Sequence, residues 1–204
     1  MTVQILGYPG SNFTRTVLMV AHEKGIEFEN LPMRPHSDEI KAVHPFGQIP
    51  VMRHDGLELA ESQAIARYID TAFDGPALIP ADPRQAAIIN QWVSMVATTI
   101  DQIIVRKYFV QYLFMKDDDG NVIRTEIDVA LKRFRRVFAT LEEGVSKGCL
   151  GGDTFTMADC FLMPMVAGMS RFPESKEYLE ASPNLQAYLA RHSQRPSFTE
   201  TSGD

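Results

Sequence analysis

The sequence predicts a mixed α/β segment followed by an all-helical one within a single chain of 204 residues. Three observations lead there. Short strand-like runs alternate with helix-like runs only as far as about residue 75. A stretch rich in proline and glycine, Asp74 to Pro83, comes next and reads as a linker. Beyond it the apolar residues recur at helical spacing and no convincing strand pattern returns. The expected organisation is therefore residues 1–75, a linker at 76–83 and a helical segment at 84–204.

Each element has a local reason. Val3, Ile5 and Gly7 fall on one side of an opening strand at 2–7. Val17, Leu18, Val20 and Ala21 give residues 14–24 a helical face, and Gly25 stands where a helix-ending glycine belongs. Residues 27–33 read as a second strand and 37–43 as one or two helical turns. Val51 and Met52 begin a third strand, Asp55-Gly56 is a two-residue hairpin signal, and Leu57 to Ala60 is its partner. Ala64, Ile65, Tyr68 and Ile69 make an apolar face for a helix over Ser62 to Phe73. After the linker, helices are expected over 84–115, 124–147, 157–170, 174–181 and 184–194, with Thr199 to Asp204 frayed.

Composition bounds the function. Apolar residues are 45% and charged residues 23% of the chain, enough to build a full core. Twenty Lys+Arg against 26 Asp+Glu give a net charge of -6, which argues against general nucleic-acid binding. No uninterrupted apolar run approaches the roughly 18 residues of a membrane span. Met-Thr-Val-Gln-Ile has neither a basic n-region nor an apolar h-region, so no secretory signal is expected. Cys149 and Cys160 do not form a Cys-x-x-Cys pair, so a zinc site and a disulfide framework are both disfavoured, and a reducing cytoplasm fits.

Three short segments carry candidate chemistry. Gly7-Tyr8-Pro9-Gly10-Ser11-Asn12-Phe13-Thr14 joins a strand to a helix. Ser11 or Asn12 there is either a plain cap or a polar group set beside a helix N-terminus, where an anion such as a thiolate is favoured. In His44-Pro45-Phe46-Gly47-Gln48-Ile49-Pro50-Val51 a proline opens a strand, which suits an edge loop or a cis bond that turns the Ile49 backbone toward a peptide-like ligand. Glu61-Ser62-Gln63-Ala64-Ile65 is either an ordinary helix start or a site where Ser62 receives a carboxylate and Glu61 an ammonium group.

Together these segments closely resemble the glutathione transferases over essentially the whole chain. Tyr8-Pro9-Gly10-Ser11 with Thr14-Arg15 and Val17-Leu18 is most similar to the serine-type phi and theta-like classes, in a bacterial-style chain. Thr156-Met157-Ala158-Asp159 is similar to the family's capping motif in its helical domain. The resemblance implies a thioredoxin-like N-terminal domain, a helical-bundle C-terminal domain and glutathione as co-substrate, with no metal. It implies that Ser11 donates to the glutathione sulfur and that Gln48 and Ile49, with Pro50 cis, hold the tripeptide backbone. Glu61 and Ser62 would hold its γ-glutamyl end, and His36 and Lys41 its glycine carboxylate. Tyr8, Phe13, Tyr108 and Tyr112 would line the electrophile pocket. A cytoplasmic homodimer with Phe46 at its seam and a role in detoxification would follow. Tyr8 stands where phi-class chains commonly carry His, and Asn12 and Phe13 replace smaller residues. Tyr8 also leaves open which hydroxyl activates the thiol, since other classes use tyrosine.

The implied chemistry is physically consistent. A free thiol has a pKa near about 8.5, and lowering it by about two units needs roughly 2.7 kcal/mol. One charge-assisted hydrogen bond beside a helix N-terminus supplies about that much. The absence of a Gly-x-Ser-x-Gly elbow argues against an acyl-transfer serine. A non-catalytic binding or scaffold protein is the rival class, and isomerase, peroxidase or dehalogenase chemistry would start from the same thiolate. Several further features read as structural. Thr156 and Asp159 form a capping box. Cys149 and Cys160 are packing residues. The acidic run after Met115 lacks the first ligand of a calcium loop. The stripe Ile104, Tyr108, Phe109, Tyr112 fits a core or a pocket equally.

Overall fold

A computed structural model describes residues 2–202. The chain forms two compact units, one of residues up to Ala86 together with those from Gln194, the other Ala87–Ser193.

The first unit is built on a four-stranded sheet of order β2-β1-β3-β4. Its strands are β1 (Val3–Leu6), β2 (Phe28–Leu31), β3 (Val51–His54) and β4 (Leu57–Ala60), with α1 (Asn12–Glu23), α2 (Asp38–Val43) and α3 (Ser62–Ala72) between or after them. β1 and β2 run parallel because α1 carries the chain back between them. β3 is antiparallel to both β1 and β4. The hairpin forms where Asp55-Gly56 predicts it, with φ of 48° and 81° at the two turn residues. Gly25 ends α1 at φ 68°, its N–H donating to the His22 carbonyl. Alternation along β1 divides the core between the sheet's faces. Leu6 packs with Ile40 of α2 and Val51, joined by Leu31, Met33 and Ile49. This is the thioredoxin-like half that the sequence predicts, and the helical half follows it.

The linker is tethered. Asp70 accepts from the Leu78 and Ile79 amides at 2.8 and 3.1 Å, and its carboxylate lies 3.4 Å from the buried Lys24 ammonium. The C-terminus departs from the sequence expectation. Residues from Gln194 pack in the first unit, not with the helical segment. A short helix, numbered α10 below (Pro196–Thr199), forms there, and Thr201 is buried. Glu23 at the end of α1 explains the placement, because it receives both Arg195 and Ser197. Of the segment expected to fray, Gly203 and Asp204 lie outside the described residues.

The second unit is helical throughout. It contains α4 (Pro83–Met95), which begins just before the unit does, then α5 (Val110–Phe114), α6 (Thr125–Gly144), α7 (Met157–Met169), α8 (Pro173–Glu180) and α9 (Pro183–His192). Between α4 and α5 the backbone is π-helical over Val96–Phe109, and the Val110 amide closes this stretch by donating to the Val105 carbonyl. Burial recurs at Val96, Ile100, Ile104 and Tyr108, a four-residue step that suits the wider turn. Pro83–Phe114 is thus one continuous helical run, long and apolar enough by length and composition to pass as a membrane span. The sequence predicts one helix over 84–115 and no membrane span there, because polar residues interrupt the apolar run. Its Val93, Ile100 and Ile104 are nevertheless buried.

Candidate active site

Strand register brings the candidate segments to one end of the sheet. Leu6 pairs with Leu31 on one side and Val51 on the other, and Val51 pairs with Ala60. The next or preceding residues are Gly7, Pro50 and Glu61, which belong to the three segments singled out from the sequence. The chain leaving Leu31 leads to His36.

Ser11 is the N-cap of α1, with extended φ and ψ of -78° and 128°, yet its hydroxyl makes no capping hydrogen bond. Its amide donates to the Tyr8 carbonyl at 2.9 Å and its carbonyl accepts from the Arg15 amide at 2.9 Å, so the backbone is fixed while the side chain stays uncommitted. No acidic residue occupies the first turn of α1. The Tyr8 ring is 52% exposed and lies over Gly10, where a Cβ would come within 2.4 Å of it. Phe13 is half-buried.

The segment before β3 is held by its own backbone. His44 is buried; its Nδ1 accepts from the Phe46 amide at 3.1 Å, and its Nε2 lies 3.5 Å from Glu61 Oε1. That contact ties the second segment to the third. Gly47 adopts φ 65°, and its carbonyl accepts from the His36 amide at 2.7 Å. A Cβ on Gly47 would meet His36 Nδ1 at 2.8 Å and Lys41 Cγ at 3.4 Å. His36 and Lys41 therefore flank the residue just before Gln48. The Ile49–Pro50 peptide is cis, Gln48 is exposed, and Ile49 is half-buried against the Leu6 cluster. Glu61 caps α3 at φ 71° with an exposed side chain, and Ser62 behind it is buried. Among the described non-glycine residues, His36, Asp55 and Glu61 have positive φ, and two of these lie at this end of the sheet. Left-handed backbone costs about 1–3 kcal/mol at such residues and concentrates at ligand clamps.

In the second unit the aromatic stripe divides. Tyr108 is fully buried, its ring 4.8 Å from Phe134 and its hydroxyl donating to Glu174 Oε2 at 2.9 Å. Burial pushes the Tyr108 phenol up to about 12. For Tyr108 the core alternative holds. Tyr112 is half-buried, and its hydroxyl donates to Glu174 at 2.6 Å and accepts from Arg124 at 3.0 Å. Asp117 closes a tight turn by accepting from the amides of Asp119 and Asn121, which explains the acidic run. Among the described residues no group of three or more His, Cys, Asp or Glu is placed to hold a metal.

A family model described as the glutathione S-transferase N-terminal domain matches residues 5–77, and one for the C-terminal domain matches 86–191. The chain belongs to the glutathione S-transferase family. It is by family a transferase. It is 30% identical to Protein LigF of Sphingobium sp. (strain NBRC 103272 / SYK-6), over 98% of this chain and 93% of that one. The crystal structure of the β-etherase LigF superposes with a TM-score of 0.74 over 98% of each chain. Glutathione S-transferase APIC of Nicotiana tabacum is 26% identical over 98% of this transferase and 97% of the relative. The structure of glutathione transferase F7 from Populus trichocarpa matches at 28% identity and a TM-score of 0.83, covering 98% and 97% of the two chains. The sequence reading gave this transferase's His44 no role of its own. A histidine beside the Pro45-Phe46-Gly47 turn was its only sequence signal, and its partner Glu61 is distant along the chain.

Proposed function

We propose that the chain binds glutathione, stabilises its thiolate with the Ser11 hydroxyl and transfers it to small hydrophobic electrophiles. The observation that carries this reading is the register Leu6–Val51–Ala60, which gathers the three segments around an uncommitted serine hydroxyl at a helix N-terminus. Gln48 and the Ile49 backbone hold the tripeptide alongside cis Pro50. Glu61 and Ser62 take the γ-glutamyl end, where the α3 N-terminus favours its carboxylate. His36 and Lys41 supply positive charge for the glycine carboxylate. Tyr8 and Phe13 form the apolar surface beside the sulfur. The thiol proton leaves to solvent, the thiolate forms a sulfur–carbon bond and the electrophile's leaving group departs with its electron pair. Membership of the glutathione S-transferase family supports the co-substrate.

Titrating bound glutathione by thiolate absorbance tests the reading. In wild type the thiolate should appear below the free thiol pKa. Ser11→Ala should move it back toward about 8.5 and lower kcat/KM at neutral pH by about ten- to a hundredfold. Tyr8→Phe should keep most of the thiolate. Binding without a depressed thiol pKa would favour a glutathione carrier, and absence of binding would leave only the fold. The likeness to LigF favours ether cleavage as a second reading, in which the same thiolate displaces an aryloxy group. A panel of aryl halides, epoxides and aryl ethers separates the two.

The chain is further assigned to a homodimer in the cytoplasm. Phe46 is 74% exposed at the tip of a fixed turn, and Leu57 on the edge strand β4 is also exposed. A cavity of about 340 Å³ between the π-helical stretch and α6, lined by Ile103, Ala130, Lys107 and Arg133, offers a second copy an apolar floor with a basic rim. Phe46→Ser should shift sedimentation from dimer toward monomer. Cys149 and Cys160 are both buried and not joined in a disulfide, in keeping with a reducing compartment.

A further inference from the structure

His44 is fixed in both backbone and ring. It ends α2 with its amide donating to the Ile40 carbonyl at 2.8 Å, and its carbonyl accepts from the Gly47 amide at 2.8 Å. The ring is buried, with the Phe46 amide donating to Nδ1 at 3.1 Å and the Phe46 ring standing edge-on 6.1 Å away. A ring nitrogen accepts only when it carries no hydrogen, so the ring hydrogen sits on Nε2. That nitrogen lies 3.5 Å from Glu61 Oε1.

Glu61 has the opposite character. Its backbone is held at φ 71° and its carbonyl accepts from the Ile65 amide at 2.9 Å, but its side chain is 70% exposed. Among the described residues no Lys or Arg pairs with its carboxylate, and the contact it makes is with His44. An exposed glutamate otherwise samples several rotamers, and fixing it only when a ligand arrives weakens binding by about three- to tenfold. Contact with an immobile ring selects one arrangement in advance. At 3.5 Å the contact is long, so it orients the carboxylate and leaves its charge available to a cation.

We propose that His44 is a positioning residue that aims the Glu61 carboxylate at the γ-glutamyl ammonium of bound glutathione. This inference rests on the glutathione reading above and deepens it. The turn that precedes Gln48 and Ile49 also sets the carboxylate at the start of α3, so the groups for the two parts of the tripeptide are aligned before it binds.

The test is calorimetric titration of the full chain with glutathione and with glutaryl-cysteinyl-glycine, which lacks only the ammonium group. In His44→Asn the side chain keeps an acceptor for the Phe46 amide but is too short to reach Glu61. It should cut the preference for glutathione by about three- to tenfold and leave affinity for the deamino tripeptide within about twofold. His44→Gln reaches as far as Nε2 and should keep the preference within about twofold, even where the altered turn weakens both ligands. In a Glu61→Gln background, adding His44→Asn should change the preference no further. If His44→Asn does not fold, nitrogen NMR of wild type carries the test: glutathione should move the His44 Nε2 resonance, and the deamino tripeptide should move it less than half as far. Equal shifts overturn the proposal, as does a folded His44→Asn that weakens both ligands alike or neither. If wild type binds glutathione without preferring it to the deamino tripeptide, the assignment of Glu61 to the ammonium fails and takes this proposal with it. If wild type binds neither, the glutathione reading itself fails, and both outcomes are distinct from a failure at His44 alone.

Discussion

Four donors converge on Asp159. The amides of Leu150 and Thr156 each donate at 2.7 Å, and the hydroxyls of Tyr188 and Thr156 at 3.1 and 3.3 Å. The carboxylate thereby closes the capping box of α7 and joins it to the loop before it and to α9. Removing it leaves buried donors unpaired, at about 1–3 kcal/mol each. Asp159→Ala should therefore cost about 3–5 kcal/mol in urea unfolding, while the molecules that do fold keep wild-type turnover. Loss of turnover in a fully folded variant would contradict a purely structural role. The capping box was legible because Thr156 and Asp159 are three residues apart in sequence. Leu150 and Tyr188 were not, since a partner that arrives from another element leaves no periodic mark. Ser11 and Arg15 show the same contrast. The hydroxyl before a helix can be read from its neighbours, whereas the partner of Arg15 lies 183 residues further along the chain.

Elements with a strong local signal formed where expected: the Asp55-Gly56 hairpin, the Gly25 stop of α1 and the strands on either side of them. The elements that were missed lack such a signal. A π-helical stretch and an α-helix share nearly the same apolar spacing, so Val96–Phe109 reads as part of one long helix. α10 is only four residues long, and what holds it is Glu23 and Arg15. The α2–β3 connection is intermediate. Its proline and glycine signal a turn, but only the structure shows that Gly47 must be left-handed and that a side chain there would meet His36 Nδ1 at 2.8 Å. Gly47→Ala should therefore displace His36 and Lys41 from beside Gln48. The expected result is a fall in glutathione affinity of at least about tenfold, with a stability cost of about 1–2 kcal/mol from the φ penalty. Calorimetric titration at wild-type affinity would show that the turn does not set the binding geometry.

Asp159 and Asp101 of the second unit are raised while Glu23 of the first unit is lowered, so the whole molecule should respond to acid in two stages. In the second unit, burial raises Asp159 to about 6, against the hydrogen bonds it accepts. Its folded pKa exceeds its unfolded value of 3.8, so the folded state binds the proton first and stability rises as pH falls from about 6 toward 4. Burial raises Asp101 in the same unit as well. Glu174 is lowered, because the hydrogen bonds from Tyr112 and Arg124 outweigh its burial, so it stays charged across that window. In the first unit, burial of Glu23 is likewise outweighed, here by the hydrogen bonds from Arg195 and Ser197, and its pKa falls below 4.5. The stability it contributes is present above 4.5 and is lost as pH falls through the depressed folded value. Trp92, the single tryptophan, reports the second unit, where a Cβ at Gly144 or Gly151 would come within 2.7 Å of its indole. Its fluorescence midpoint in urea should rise between pH 7 and pH 5 by an amount equivalent to about 1 kcal/mol. As pH falls through the depressed Glu23 value, hydrogen exchange should accelerate first in α1 and α10, where protonation releases the Glu23 clamp. A Trp92 midpoint that falls between pH 7 and 5 would show that Asp159 is held charged by its four donors. Unchanged exchange in α1 and α10 at low pH would show that the Glu23 clamp does not hold the tail.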